Sequence, residues 1–139
     1  MYRINEGTFD LPQTWRDRTV NIIASDNSPF QVAMSVTRDD LPWGLAFAEY
    51  LEDQLARAEK ALTGYDLIGR RDLLIDGIGA HEFEATWQRD AAPVHMLTTI
   101  LDMGPKAMIV TVSVEGRMSE GQRHEMRRIV ESFRAVTAA

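Results

Sequence analysis

Three histidines, one pair of adjacent carboxylates and two arginine pairs are the groups with chemistry to offer in this sequence of 139 residues. His81 and His95 fall in expected strands and His124 among the charges of an expected helix; none has the i+4 partner or the H-E-x-x-H pattern that holds a metal. Ordinary surface or half-buried roles are expected for all three. Asp39-Asp40 could act as paired carboxylates, but adjacent residues need not converge. Just before a helix such residues serve more often in turns or near the positive end of the helix dipole. The glycines never form a phosphate cradle, and no serine sits in a G-x-S-x-G elbow. Arg70-Arg71 and Arg127-Arg128 are flanked by acids and read as solvated faces. With no cysteine there is no thiol nucleophile, thiolate zinc site or disulfide. The expectation is a protein that is not an enzyme, with no catalytic residue, no metal site and no cofactor.

Charge narrows the partners. Fifteen Lys and Arg against 21 Asp and Glu leave a net charge of −6, which disfavours nucleic acid and anionic membrane surfaces. A composition of 45% hydrophobic and 26% charged residues is that of a globular chain, and the length suits one domain over residues 1–139. The N-terminus lacks an apolar signal region and no stretch is apolar enough to span a bilayer. A cytoplasmic location without stable membrane insertion is therefore expected.

The elements that must position these groups follow from periodicity. Two short apolar patches, 2–4 and 8–11, open the chain; alternation then marks strands at 19–25 and 31–38, separated by the turn Asp26-Asn27-Ser28-Pro29. A helix of about twenty residues is expected up to Leu62 or Thr63, with Ala48, Leu51, Leu55, Ala58 and Leu62 as its apolar stripe and Gly64 past its end. Phe47, Gln54 and Ala61 sit on the shoulder of that stripe, so the weakly charged face is wide. Strands are expected at 66–75, 79–88, 94–103 and 107–115, and a closing helix over 119–134 with Ser119 as its N-cap. The order β-β-β-α-β-β-β-β-α gives an α+β fold: a mainly antiparallel sheet of about six to seven strands with two main helices.

Strand 94–103 carries Val94, Met96, Thr98 and Ile100 on one face and His95, Leu97, Thr99 and Leu101 on the other. Both faces are uncharged. If both helices covered one face, the other would present apolar and hydroxyl groups to a partner; if they covered opposite faces, these residues would be core.

Several segments, in order along nearly the whole chain, resemble the Eag chaperones of type VI secretion effectors, in the DcrB-like group of the PsbP-like fold superfamily. They are Tyr2-Arg3-Ile4-Asn5-Glu6-Gly7, Leu11-Pro12 with Trp15 and Asp17, Thr19-Val20-Asn21-Ile22 and Ser35-Val36-Thr37-Arg38-Asp39. The helix segments Glu49-Tyr50-Leu51, Gln54-Leu55 and Ala58-Glu59-Lys60-Ala61-Leu62 continue the series, which closes with Gly64-Tyr65, Trp87-Gln88-Arg89 and Ser132-Phe133-Arg134. The missing signal and missing lipidation Cys separate the chain from the secreted lipoprotein branch of that group.

The resemblance implies a homodimeric cytosolic chaperone for the hydrophobic N-terminal segment of a secreted effector, a transmembrane helix preceding a PAAR domain. Such a helix in water exposes apolar surface worth roughly 25 cal/mol per Å², so it needs an apolar groove with a few hydrogen-bonding groups. The expected lining is Val20 and Ile22 on one strand, Gln54, Ala58 and Leu62 as an i, i+4, i+8 ridge, and Val94, Met96 and Thr98 on a later strand. The first five rest on the resembling segments, the last three on strand alternation. Ser35 would face the same side. The competing expectations are a small-molecule or metal-binding domain on the same scaffold using Asp39, Asp40 and His81, and a general protein-interaction module.

Overall fold

Alternating branched and small residues build a six-stranded antiparallel sheet in the computed structural model, which describes residues 1–25 and 32–136. Its strands are β3 (Asn21–Ala24), β4 (Val32–Asp40), β5 (Asp66–Ile75), β6 (Ile78–Arg89), β7 (Ala92–Asp102) and β8 (Lys106–Glu115), in the spatial order β3-β4-β8-β7-β6-β5. A separate antiparallel hairpin, β1 (Tyr2–Ile4) with β2 (Gly7–Phe9), precedes it. The fold is α+β, as the patterning predicts. Four strands rather than three precede the first helix, because the two opening patches pair with each other. The turn at Asp26-Asn27-Ser28-Pro29 and Gln31 lie outside the described residues.

The last four strands are joined by tight connections. Asp76 and Gly77 both take left-handed backbone (φ 51° and 75°), the conformation a two-residue hairpin turn needs to match strand twist. Asp90 and Ala91 repeat it, so β7 starts at Ala92, two residues earlier than the alternation alone places it.

Helix α1 (Phe47–Ala61) is shorter than the pattern suggests. The segment Pro42-Trp43-Gly44 forms a turn, closed by the Leu45 amide donating to the Pro42 carbonyl, with Gly44 at φ 84°. No side chain caps the helix, so its start is set by that turn and by packing. Its buried residues are Tyr50 and Leu51, while Ala48, expected in the stripe, is exposed. The bulky aromatic displaces the helix rotation toward Phe47, Tyr50 and Leu51, which pack with Phe83, Ile100 and Ala107. Helix α2 (Glu120–Glu131) starts at Ser119, which accepts from the Gln122 amide while the Gln122 side chain accepts from the Ser119 amide. It buries Met126 and Val130 against Leu97, Leu101, Val110 and Val112.

Directly paired residues in an antiparallel ladder share a face. Thr98 pairs with Phe83 and lies on the α1 side, whereas Leu97 and Leu101 lie on the α2 side. The two helices therefore cover opposite faces of one sheet, and the apolar residues of β7 divide between them.

Candidate functional site

The α1 face is only half covered. One row of paired residues crosses the whole sheet on this face: Ile22, Ser35, Thr111, Thr98, Phe83 and Arg70. The next row runs Ala24, Ala33, Ser113, Met96, Ala85 and Leu67. Helix α1 lies over the β5–β8 side, through Leu67, Phe83, Ile100, Ala107 and Ile109. Beyond it the floor is small or hydroxyl-bearing. Ser35, Thr98, Thr111 and Ser113 are half-buried, and Ala24, Ala33 and Ile22 are exposed, Ile22 at 75%. From β7 to β3 is three strand spacings, about 14 Å, which exceeds the 10–12 Å diameter of a helix with its side chains.

At the foot of α1 this floor deepens into a mainly apolar cavity of about 280 Å³. Gln54, Ala58, Leu62, Met96 and Thr98 line it together with Tyr65 and Phe83. Five of the eight expected groove residues thus meet in one place. Val94 is on the same strand face but buried and outside the cavity lining. Ile22 lies on the same sheet face three strands away, and Val20 precedes β3 and lines a separate, polar cleft of about 910 Å³ with Arg16, Arg18 and Lys106. Strand alternation also carries a signal for Thr111 and Ser113 in the run Val110-Thr111-Val112-Ser113-Val114, which the search for a groove lining passed over.

Two polar ties hold α1 in place. The Tyr50 hydroxyl donates to Asp39 at 2.8 Å, and burial followed by that carboxylate pushes its pKa upward. Arg70 donates to Glu52 at 2.9 Å and lies 4.8 Å over the Phe83 ring.

The groups offered for metal or acid–base chemistry do not converge. Asp39 is engaged by Tyr50, while Asp40, on the opposite strand face, lies 3.6 Å from both Arg16 and Lys106. His81 accepts from the Arg70 guanidinium at Nε2, which leaves Nδ1 to donate to Asp72 at 2.6 Å, three strands from β4. Among the described residues no three His, Asp or Glu side chains are placed to share an ion.

The α2 face holds the polar groups that sequence reasoning misplaced. Glu82 and Glu84 are 3% and 6% exposed beneath α2. Arg71 and Arg127 hydrogen-bond Glu82, and Arg123 bonds Glu84 at 3.0 Å. Burial alone would raise the pKa of Glu82, but the bonds from Arg71 and Arg127 outweigh it and hold the carboxyl below its ordinary range. His95, fully buried, accepts the Met118 amide at Nδ1 and donates from Nε2 to Glu84 at 2.7 Å. Arg71 and Arg127 are therefore members of a half-buried ion network rather than solvated faces. Arg128 pairs, among the described residues, with its neighbour Glu125 and stays in solvent.

A family model described as DcrB matches residues 6–132. The chain belongs to the DcrB family. This DcrB-family chain is 28% identical over 115 residues to Effector EagT6 of Pseudomonas aeruginosa, spanning 81% of this chain and 80% of that protein. The family resemblance read from the sequence agrees with both matches. The crystal structure of PA94, a Pseudomonas aeruginosa protein of unknown function, superposes with a TM-score of 0.81 at 24% identity, over 99% of this chain and 96% of that one. The two share a fold. The solution structure of cyanobacterial PsbP from Synechocystis gives a TM-score of 0.45 at 9% identity, over 89% of this chain and 93% of that one. Among the described residues of this DcrB-family chain, no helix is long and apolar enough to cross a membrane.

Proposed function

We propose that this DcrB-family chain is a non-enzymatic, cytoplasmic chaperone. It binds the hydrophobic N-terminal helix of a PAAR-containing type VI secretion effector and shields it before export, acting as a homodimer. The observation that carries this reading is the half-covered α1 face, whose apolar cavity under Gln54, Ala58 and Leu62 opens onto a helix-wide floor of Ala, Ser and Thr. Small floor residues let a helix backbone approach closely, and hydroxyl and amide groups replace the interhelical hydrogen bonds of a bilayer. The relationship to Effector EagT6 supports an association with a secreted effector.

The experiment is calorimetric titration with an effector N-terminal fragment, alongside a matched fragment lacking the apolar helix. Saturable binding that requires the helix and is abolished by Ile22→Asp is expected, with the circular dichroism of the variant unchanged. Helix-independent binding, or no binding across several such fragments, would overturn the reading.

A further inference from the structure

The polar cleft of about 910 Å³ lies where residues 16–21 pass the end of β4 and the start of β8. Four of the chain's 15 Lys and Arg side chains line it, Arg16, Arg18, Arg38 and Lys106, although the chain as a whole carries a net charge of −6. Three acids share the cleft, and two of them are spent on neutral donors. Asp17 accepts from the Thr19 hydroxyl and amide and from the Tyr2 hydroxyl, and the Thr19 bonds hold its carboxyl below the ordinary range. Asp39 accepts from the Tyr50 hydroxyl. Among the described residues, Asp40 is the one acid of the cleft within ion-pairing distance of a cation. It is divided between Arg16 and Lys106, each 3.6 Å away and all three exposed, a geometry that holds weakly.

The other two cations are unanswered. All three hydrogen bonds of the Arg38 guanidinium leave from Nη1, to the Thr19 and Val36 carbonyls and the Asn21 amide oxygen. Those acceptors are neutral, so they fix the side chain without cancelling its charge, and Nε and Nη2 have no partner among the described residues. Arg18 is exposed and has no carboxylate within ion-pairing distance among the described residues.

Fixed cations without counter-charges call for an anion, and the surroundings say which kind. A cleft of this volume suits a ligand of many atoms rather than one small ion. Trp15 adjoins Arg16, and Trp43 stands three residues past Asp40, so both backbones lie within about 10 Å of cleft residues. Trp15 is 66% exposed and Trp43 fully so. Exposed Trp beside Arg is the composition with which proteins grip a polypeptide. An extended anionic surface, membrane or nucleic acid, would be repelled by the rest of the chain; a short acidic segment would not. The cleft also continues the open floor. Its Val20 and Thr37 lie two residues along the chain from Ile22 and Ser35, about 7 Å away.

We propose that this cleft is a docking site for a short acidic segment of the effector, next in its chain to the apolar helix, with Arg18 and Arg38 binding the carboxylates. The source of the segment rests on the reading of the groove, whereas the chemistry of the site does not. Docking of this kind also gives the bound helix a direction, its acidic end toward the end of β4.

The test is fluorescence anisotropy with two labelled synthetic probes. Each is an apolar Leu/Ala/Ser helix of about twenty residues, one carrying Asp-Glu-Asp-Glu at its end and the other Asn-Gln-Asn-Gln. At low salt the wild type should bind the acidic probe about tenfold more tightly, the effect of two exposed ion pairs. At about 0.5 M sodium chloride, and in Arg18→Gln/Arg38→Gln, the two probes should bind alike. Arg38 also tethers Thr19 and Asn21, so the single variant Arg18→Glu, checked by circular dichroism, repeats the measurement with that tether intact. Equal affinity of the wild type for the two probes, or a preference that survives both variants, overturns the proposal. So does inorganic phosphate that abolishes the preference where chloride of equal ionic strength does not, which would mark a small-anion site. Arginine-dependent binding to phosphatidylglycerol vesicles would overturn it in favour of a membrane surface. If neither helix probe binds, the groove reading falls, and a short Asp/Glu peptide without the helix decides the site: arginine-dependent binding upholds its chemistry, and no binding sinks it too.

Discussion

On the α2 side of the sheet Leu97, Leu101, Val110 and Val112 are buried in one cluster with Met118, Met126 and Val130, and the acids beside them are matched by arginines. On the α1 side a helix of similar length covers the β5–β8 part alone and leaves Ser35, Thr111, Ser113 and Ile22 uncovered. Both faces hang on one hydrogen-bonded ladder, so backbone pairing cannot account for the difference. Side-chain volume does. Large apolar residues on the first face demand a lid, while Ala, Ser and Thr on the uncovered part of the second tolerate water. One side of the sheet is closed by its helix and the other is left partly open.

Mutations that strike the closed face should therefore cost stability, and those on the open face should not. Leu97, 1% exposed, is the sharpest probe of the first: Leu97→Ala should lower unfolding free energy by about 2–5 kcal/mol in urea denaturation. A smaller loss, about 1–3 kcal/mol, is expected for Arg127→Ala, which leaves Glu82 with Arg71 alone. That site also has a pH signature. The pKa of Glu82 is depressed in the folded state, so its contribution is full above the unfolded value of 4.5 and is lost as pH falls through the folded one. Stability measured from neutral to acid pH should therefore fall less steeply in Arg127→Ala than in the wild type. Ser119→Ala removes the α2 cap and should cost about 1 kcal/mol. Last comes Ile22→Asp on the open face, expected to change stability by less than about 0.5 kcal/mol. A loss at Ile22 as large as that at Leu97 would erase the distinction between the two faces.

How far the sequence discloses this division depends on the residue. The strands, both helices and the Ser119 cap follow from alternation, 3–4 spacing and capping chemistry. The apportioning of helices to faces does not, because β7 is uncharged on both sides and period-two patterning is then silent about which side is covered. The buried acids were hidden for a related reason. His-Glu-Phe-Glu-Ala over residues 81–85 looks like one solvated face, and only the i, i+4 pair Arg123 and Arg127 on α2 hints that arginines are waiting above it. Tyr50 was masked by the better-spaced alanine at position 48. Gln54, Ala58 and Leu62 were readable as a ridge because helical spacing fixes their alignment whatever lies opposite. Thr111 and Ser113 needed the register of β8 against β4 before they became neighbours of Ile22.

β3 carries a consequence in time as well as in space. Four residues long and with every side chain exposed, it is secured by its ladder to β4 and by almost no packing. Local opening there requires far less free energy than opening of β7, most of whose side chains are buried. Amide hydrogens of 21–24 should thus trade with solvent deuterium orders of magnitude faster than those of β7. Any occupant of that border, whatever its identity, would announce itself as a slowing confined to those few amides while the rest of the sheet kept its pace.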